Sequence, residues 1–473
     1  MKISLLGVVS IAYSLFLILK KRDFASFYCE FLALTLIVTT NIHMGYFLKM
    51  GELVFTYDSF FIYSLMLLSI IFLGGKLYRK DFIFLSIFFS VLILNYCSFL
   101  FFPYREKVIV GDWEGYLLGN NVYSFLGKDS IAVGYYFVLI SIAIIVITVY
   151  RKLDISQLKL VLAKVVDISK CSIVLGYIEF VTKNILHTTI VTDMCIALFG
   201  VEGMQQNRLT NRNGLITLQG ATKEASMFTT VIFYIVILMA VQGAICKDKY
   251  KKNKKWIFAS VVLLLINPAM SAYVYVLIIF LILITSGLID VSESSKKLMN
   301  RNSILIVCIT IIGVILGAIL FNNLNRLIDS SNYLLHRIGL AIQQFKIIVS
   351  GTGKLVNSSE AQRLSGIVYD FKMWLKKPFL GYGAGTIYCV SGFISFLTDF
   401  GLITVLAYVY IICHYGKSEI ANKSIVLLFF CEIWILPNLF LNDLKTIMLL
   451  IIPFTVMLYA AAFESPRLPS IKK

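Results

Sequence analysis

The chain has 473 residues, of which 59% are hydrophobic and only 15% charged, with 36 Phe, 26 Tyr and a formal net charge of +17. Soluble domains average roughly 45–50% apolar and 25% charged residues, so this chain has too little polar surface to cover soluble cores, as its mean hydropathy of +0.85 agrees. Composition therefore excludes a soluble enzyme, a nucleic-acid-binding domain and a disordered scaffold, and points to an all-α polytopic membrane protein.

A membrane-spanning helix needs about 20 predominantly apolar residues. In chain order the candidates fall at 3–19, 25–47, 58–74, 82–102, 132–150, 165–182, 225–245, 256–270, 271–288, 303–321, 392–412, 424–440 and 443–462. These predict about 13 transmembrane helices, in a range of about 11–14, within a single integral membrane domain over 1–473. Pro268 divides the pair at 256–288 into two short halves, and one kinked helix there would change the parity. The opening run MKISLLGVVSIAYSLFLILKKRD carries its basic cluster after the apolar stretch and has no small-residue cleavage site, so it reads as a first spanning helix.

Loop charge orients the spans. Basic clusters occur at Lys20–Arg22, Lys76–Lys80, Arg151–Lys164, Lys247–Lys255, Lys296–Arg301, Lys417–Lys423 and Arg467–Lys473. Holding all of them on the cytoplasmic side predicts an outward N-terminus and an inward C-terminus. The stretch 183–224 is then wholly external or re-entrant; if it spans, every later loop changes side. Regions 103–131, 183–224 and 322–391 face outward, and 322–391 forms a helical extracytoplasmic loop between transmembrane helices. Within it, NLNRLIDSSNYLLHRIGLAIQQFKIIV has the spacing of a surface helix, GTGKLVNSSE is a turn, and RLSGIVYDFKMWLKKPF is a second helix ended by Pro378.

The outer segments hold cations that topology disfavours: Lys183, Arg208, Arg212, Lys223, Arg326, Arg337, Lys346, Lys354, Arg363, Lys372, Lys376 and Lys377. They fit a lipid phosphate or pyrophosphate, and equally lipid headgroups and water. Arginine suits a gripped anion because its planar fork pairs two oxygens at once. The GYGAG run (Gly381, Gly383, Gly385) after Pro378 is either a tight connector or a backbone nest for an anion. Asp399 lies about two turns into the span beginning near 392, where a carboxylate normally has a partner or a function. Glu224 opens the 225–245 helix, where it serves either as a cap or as a reactive group. Glu179, Lys170, Glu432 and Asp443 are candidates for structural pairs inside the bundle. The 9 Cys form no CxxC, and the 4 His make no pair at metal-ligand spacing, so neither a metal nor a cofactor is expected.

Three stretches carry a family resemblance. Arg212-Asn213-Gly214-Leu215 precedes Glu224-Ala225-Ser226-Met227-Phe228 at a helix start, and Pro268-Ala269-Met270-Ser271-Ala272 follows. The third stretch is Arg363, Trp374, Pro378, Gly381, Gly383 and Gly385, leading into Asp399-Phe400-Gly401-Leu402. With the outer loop before the last spans, the chain resembles the bacterial repeat-unit polymerases of O-antigen and capsular polysaccharide (Wzy-like), and more distantly the O-antigen ligases. Ligases usually carry a His soon after the glycine run, whereas Thr386-Ile387-Tyr388-Cys389-Val390-Ser391-Gly392 has none.

The resemblance implies a glycosyltransferase of the bacterial cytoplasmic (inner) membrane with its active site facing outside. It would join undecaprenyl-pyrophosphate-linked oligosaccharide repeat units, without cofactor or metal and without nucleic acid, alongside membrane lipids, a flippase and a chain-length regulator. Arg212 and Arg363 are the expected pyrophosphate clamp, with Arg337 and Lys376 as helpers. Asp399 and Glu224 are the candidate bases, Tyr388 and His336 weaker ones. Trp374, Tyr382, Tyr388, Gly381 and Gly383 would line the substrate cleft. The alternatives are an O-antigen ligase-type transferase and a lipid-linked oligosaccharide flippase or transporter, which would more naturally show two related halves and cations along its spans.

Overall fold

The computed structural model describes residues 2–20, 23–42, 46–50, 53–75, 77–101, 109–110, 113–114, 130–200, 211–212, 214–222, 224–286, 288, 319, 322–331, 333–350, 359–384, 391–415, 423–440 and 447–462. For some of these, among them Arg212, Arg337 and Arg363, the description covers the backbone alone.

The first half contains α1 (Leu5–Lys20), α2 (Phe24–Asn41), α3 (Tyr57–Leu73), α4 (Arg79–Phe101), α5 (Ser130–Lys152), α6 (Ile155–Phe180) and the short α7 (Ile190–Phe199). It is followed by α8 (Ala225–Ile245), α9 (Lys247–Ile266) and α10 (Met270–Thr285). The region 322–391 supplies α11 (Leu324–Ile328), α12 (Tyr333–Ser350) and α13 (Ser359–Lys376). The last helices are α14 (Gly392–Tyr415), α15 (Lys423–Phe430), α16 (Leu436–Phe440) and α17 (Ile447–Ala462).

Strands are minor. β1 (Lys2–Ile3), β2 (Tyr46–Met50) and β3 (Leu53–Thr56) pair antiparallel, and β4 (Ile109–Val110) with β5 (Trp113–Glu114), and β6 (Asn211–Arg212) with β7 (Leu215–Ile216), form small hairpins.

Among the described residues, five helices are long and apolar enough to cross a membrane: Phe24–Asn41, Arg79–Phe99, Gly134–Lys152, Ala225–Ile245 and Gly392–Tyr415. Shorter apolar helices accompany them, including α1, α3, α7 and α10. The protein is thus a mostly helical membrane protein. The expected span at 303–321 falls almost wholly outside the described residues. At the expected pair 256–288, Asn267-Pro268-Ala269 separates α9 from α10. The basic Lys247–Lys255 run occupies the first half of α9, leaving Trp256–Ile266 as its apolar part. At 1.5 Å per residue that part reaches about 16 Å, roughly half the hydrocarbon thickness.

Helix α8 is the centre of the bundle. It is apolar on every side, and every residue from Met227 to Ile245 is buried, against α2, α6, α9, α10 and α17. A helix with no polar stripe needs neighbours all round. Helix α4 has the opposite character: Phe82, Ile83, Ile87, Phe89, Ile93 and Leu94 are exposed along it. Such a contiguous apolar face is stable only under lipid or a partner.

One end of the bundle is tied by charge. Asp81, in the first turn of α4, is almost wholly buried and takes two hydrogen bonds of 2.9 Å from the Arg151 guanidinium at the end of α5. The Tyr415 hydroxyl, at the end of α14, donates to the same carboxylate at 2.7 Å. Both charges also suit their helix dipoles, an anion at an N-terminus and a cation at a C-terminus. Arg151→Leu leaves the carboxylate with Tyr415 and is expected to destabilise by about 2 kcal/mol. Thermal unfolding of the detergent-solubilised protein reads this out. Adding Asp81→Asn should recover most of the loss; no recovery would show that the pair is not the tie.

Candidate functional site

The strongest of the resembling stretches closes on itself in space. Helix α14 is interrupted at Gly401, whose φ of 74° and ψ of 167° are non-helical. The break frees backbone groups on both sides, and the segment after α13 fills it. Tyr382 N–H donates to the Thr398 carbonyl at 2.8 Å and Gly383 N–H to the Asp399 carbonyl at 2.7 Å. In return, Leu402 N–H donates to Pro378 O at 2.8 Å and Ile403 N–H to Phe379 O at 3.2 Å. The second half of α14 therefore has its first donors capped by the Pro378–Phe379 carbonyls, a terminus that would otherwise be orphaned in the bundle.

Glycine is required where the two backbones touch. Gly381 has φ 67°, and a Cβ there would lie 2.6 Å from the Asp399 carbonyl oxygen and from Gly401 N. At Gly383 (φ 97°) a Cβ would meet the Phe99 side chain at 2.4 Å. Gly381 thus lets backbone dock against backbone, and Gly383 makes room for the Phe99 side chain.

Polar side chains of two other helices complete the locus. Asn95 on α4 donates from Nδ2 to the Asp399 carbonyl at 2.9 Å and also to the Leu380 carbonyl. The Tyr136 hydroxyl on α5 donates to Asn95 Oδ1 and accepts from Ala384 N–H at 3.0 Å. Ser98 Oγ donates to Gly381 O at 3.3 Å. The Thr398 hydroxyl bonds the carbonyl of Asp370, a wholly buried residue of α13, at 3.2 Å. Trp374 Nε1 donates to Pro378 O at 3.1 Å, so the indole braces the turn. Lys377 sits over the buried Tyr382 ring at 4.7 Å, and partial burial pushes its ammonium pKa down.

The expected site residues fall as follows. Asp399 (8% exposed), Gly381, Tyr382, Gly383 and Trp374 belong to this one locus, and Lys376 is exposed at the end of α13 beside it. Glu224 stands at the head of α8. Glu224 occupies the N-cap position but makes no side-chain cap bond, and instead accepts from Ser226 Oγ at 3.4 Å. Arg212 lies in β6, Arg337 on α12 and Arg363 on α13, and their side chains are outside the description. Tyr388 and Gly385 also lie outside the described residues. His336 Nδ1 is 2.6 Å from the Ile328 carbonyl. A carbonyl only accepts, so Nδ1 carries the proton and Nε2 is the nitrogen left for other chemistry.

Lys183 corrects one expectation. It is not an outward cation available to a phosphate: it is fully buried and paired with Glu179 at 2.7 Å. The signal was present in the sequence, since a Glu four residues before a Lys on a helix is a favoured pair. Asn95 and Tyr136 were also missed as site supports. A lone Asn inside an apolar run signals a partner, but its identity comes only from tertiary packing.

No family model, curated protein or solved structure matches the chain.

Proposed function

We propose that the protein is a glycosyltransferase that polymerises lipid-linked oligosaccharide repeat units of O-antigen or capsular polysaccharide. The observation that carries this reading is the packed unit around Gly401. Of the residues grouped by resemblance, Trp374, Pro378, Gly381, Gly383 and Asp399-Phe400-Gly401-Leu402 join in one interlocked turn and broken helix. Broken helices with an intramembrane carboxylate mark substrate sites in membrane proteins.

In the proposed reaction, the acceptor sugar hydroxyl oxygen forms a bond to the anomeric carbon of the donor glycan. The bond from that carbon to the pyrophosphate oxygen breaks, and the diphosphate leaves on its polyprenyl carrier. The hydroxyl proton passes to a carboxylate, Asp399 or Glu224. Negative charge grows on the leaving diphosphate, so cations already in place lower the barrier most in a partly dry site. Arg212 and Arg363 are assigned that task, with Arg337 and Lys376 supporting. Under this reading the chain crosses the bacterial cytoplasmic membrane about thirteen times. The loop 322–391 and the site face outward. A flippase supplies the substrate, and a chain-length regulator acts on the product.

Arg212→Ala and Arg363→Ala are each expected to abolish long-chain polymer while the protein still accumulates in the membrane. Gel ladders of the polymer, alongside immunoblots of membrane fractions, test this. Normal ladders from both variants would remove the clamp. Purified protein given lipid-linked repeat units separates the classes: a ladder means polymerase, transfer only to a lipid A-core acceptor means ligase, and translocation without transfer means flippase.

A further inference from the structure

The segment between Arg212 and the head of α8 has an unusual course. Residues 217–222 are buried, yet they are neither helix nor strand. Extended backbone inside a bundle leaves N–H and C=O groups that water cannot reach, so each needs a protein partner. Here the partners are side chains of two other elements.

Helix α6 runs into a π-helical turn, Val181–Ile185, and Glu179 and Lys183 flank the change. Glu179 Oε2 accepts from Gln219 N–H at 3.0 Å and from Gly220 N–H at 2.7 Å, while Oε1 accepts from Thr192 Oγ1 at 3.3 Å. Lys183 Nζ closes the pair and also donates to the Thr217 carbonyl at 3.3 Å. Asn184 grips Ile216 from both sides, with Oδ1 accepting its N–H at 2.6 Å and Nδ2 donating to its carbonyl at 3.2 Å. Asn267, at the break before Pro268, does the same for Leu218, at 3.2 and 3.4 Å. Four polar side chains thus fix successive backbone groups from Ile216 to Gly220. The wider π turn sets Lys183 and Asn184 toward the segment, and such turns recur at functional sites.

We infer that Glu179, Lys183, Asn184 and Asn267 are positioning residues. They hold the 216–220 strap, and so fix the course of the backbone between β6, which carries Arg212 four residues before it, and Glu224, four residues after it at the head of α8. The ligand for that end is a diphosphate on a lipid carrier, and this assignment rests on the transferase reading above. A residue that only stabilises the fold would lower the amount of active protein, and with it kcat. A residue that aims the anion-binding group would raise KM for the donor.

The test uses the full chain in lipid nanodiscs, comparing wild type with Asn184→Ala and with the charge-neutral pair Glu179→Gln/Lys183→Met, which leaves no lone buried charge. Hydrogen exchange of peptides covering 214–222 is measured beside initial rates with the lipid-linked repeat unit. Exchange at this strap should rise about tenfold or more in both variants, while the middle of α8 stays protected. The apparent KM for the lipid-linked donor should rise about tenfold, with a smaller change in kcat. Unchanged exchange overturns the clamp, and faster exchange with an unchanged KM reduces it to a structural tie and overturns positioning. If wild type makes no polymer, the transferase reading fails by itself. The inference is then decided by exchange together with farnesyl pyrophosphate binding, which the variants must weaken about tenfold.

Discussion

Gly401→Ala is expected to leave almost no folded protein in the membrane fraction. The φ of 74° with ψ of 167° belongs to a region open only to glycine. A Cβ there would lie 2.2 Å from Phe379 O, 2.5 Å from Leu380 C and 2.6 Å from Gly381 N. All three are backbone atoms, so no side-chain rotation relieves the contact. Backing away would break the reciprocal hydrogen bonds of Tyr382, Gly383, Leu402 and Ile403. Conformational strain of about 1–3 kcal/mol adds to roughly 1 kcal/mol for each lost bond, giving a loss above about 4 kcal/mol. Gly74→Ala is the control, since its φ of 63° is also left-handed but nothing lies within 4 Å. That change should cost only about 1–2 kcal/mol. Fluorescence-detected size exclusion after heating compares the two. A Gly401→Ala protein that melts with the parent would mean the interlocked turn does not exist as described.

The locus around Gly401 shows how much of the site the sequence carries. The apolar run 225–245 coincides with α8, and the second loop helix, α13, does end where Pro378 predicts, because length of apolar run and proline punctuation are local signals. Helix α6 begins at Ile155, ten residues before the expected span at 165; its start was written in Asp154 and Gln157, which form a capping box, but the amphipathic turn after them is too polar to register as membrane. The break in α14 is different. In sequence Gly401 is one glycine in an apolar run, and helices tolerate isolated glycines. Only the arrival of Pro378–Gly383 against it makes the non-helical angle favourable, and that contact is tertiary. The same holds for the strap at 216–220: TLQG reads as a polar loop, and nothing local says that Glu179 and Asn267 will receive its amides. Stretches whose partners are far away in sequence remain opaque even when each of their residues stands out.

Glu179→Ala is the second large loss expected, and its asymmetry with the partner substitution is the informative part. Glu179 and Lys183 are both 0% exposed. Removing the carboxylate leaves an ammonium with the Thr217 carbonyl in a dry interior, and it also strips the Gln219 and Gly220 amides of their acceptor. Breaking a buried pair from one side typically costs about 3–5 kcal/mol. Lys183→Met strands the carboxylate instead, but that carboxylate keeps two backbone N–H donors and the Thr192 hydroxyl. Its loss should therefore be the smaller, nearer about 2 kcal/mol, the scale of one charged hydrogen bond. The double variant Glu179→Gln/Lys183→Met removes both charges, keeps an oxygen for the amides, and should be more stable than Glu179→Ala alone. Melting of the three proteins beside the wild type in the same detergent compares these losses directly. Equal losses from Glu179→Ala and Lys183→Met would mean that the two amides contribute nothing and the pair is a plain ion pair. A larger loss from Glu179→Ala, restored in the double variant, places the anchoring of the strap on the carboxylate, with the lysine as its partner at 2.7 Å.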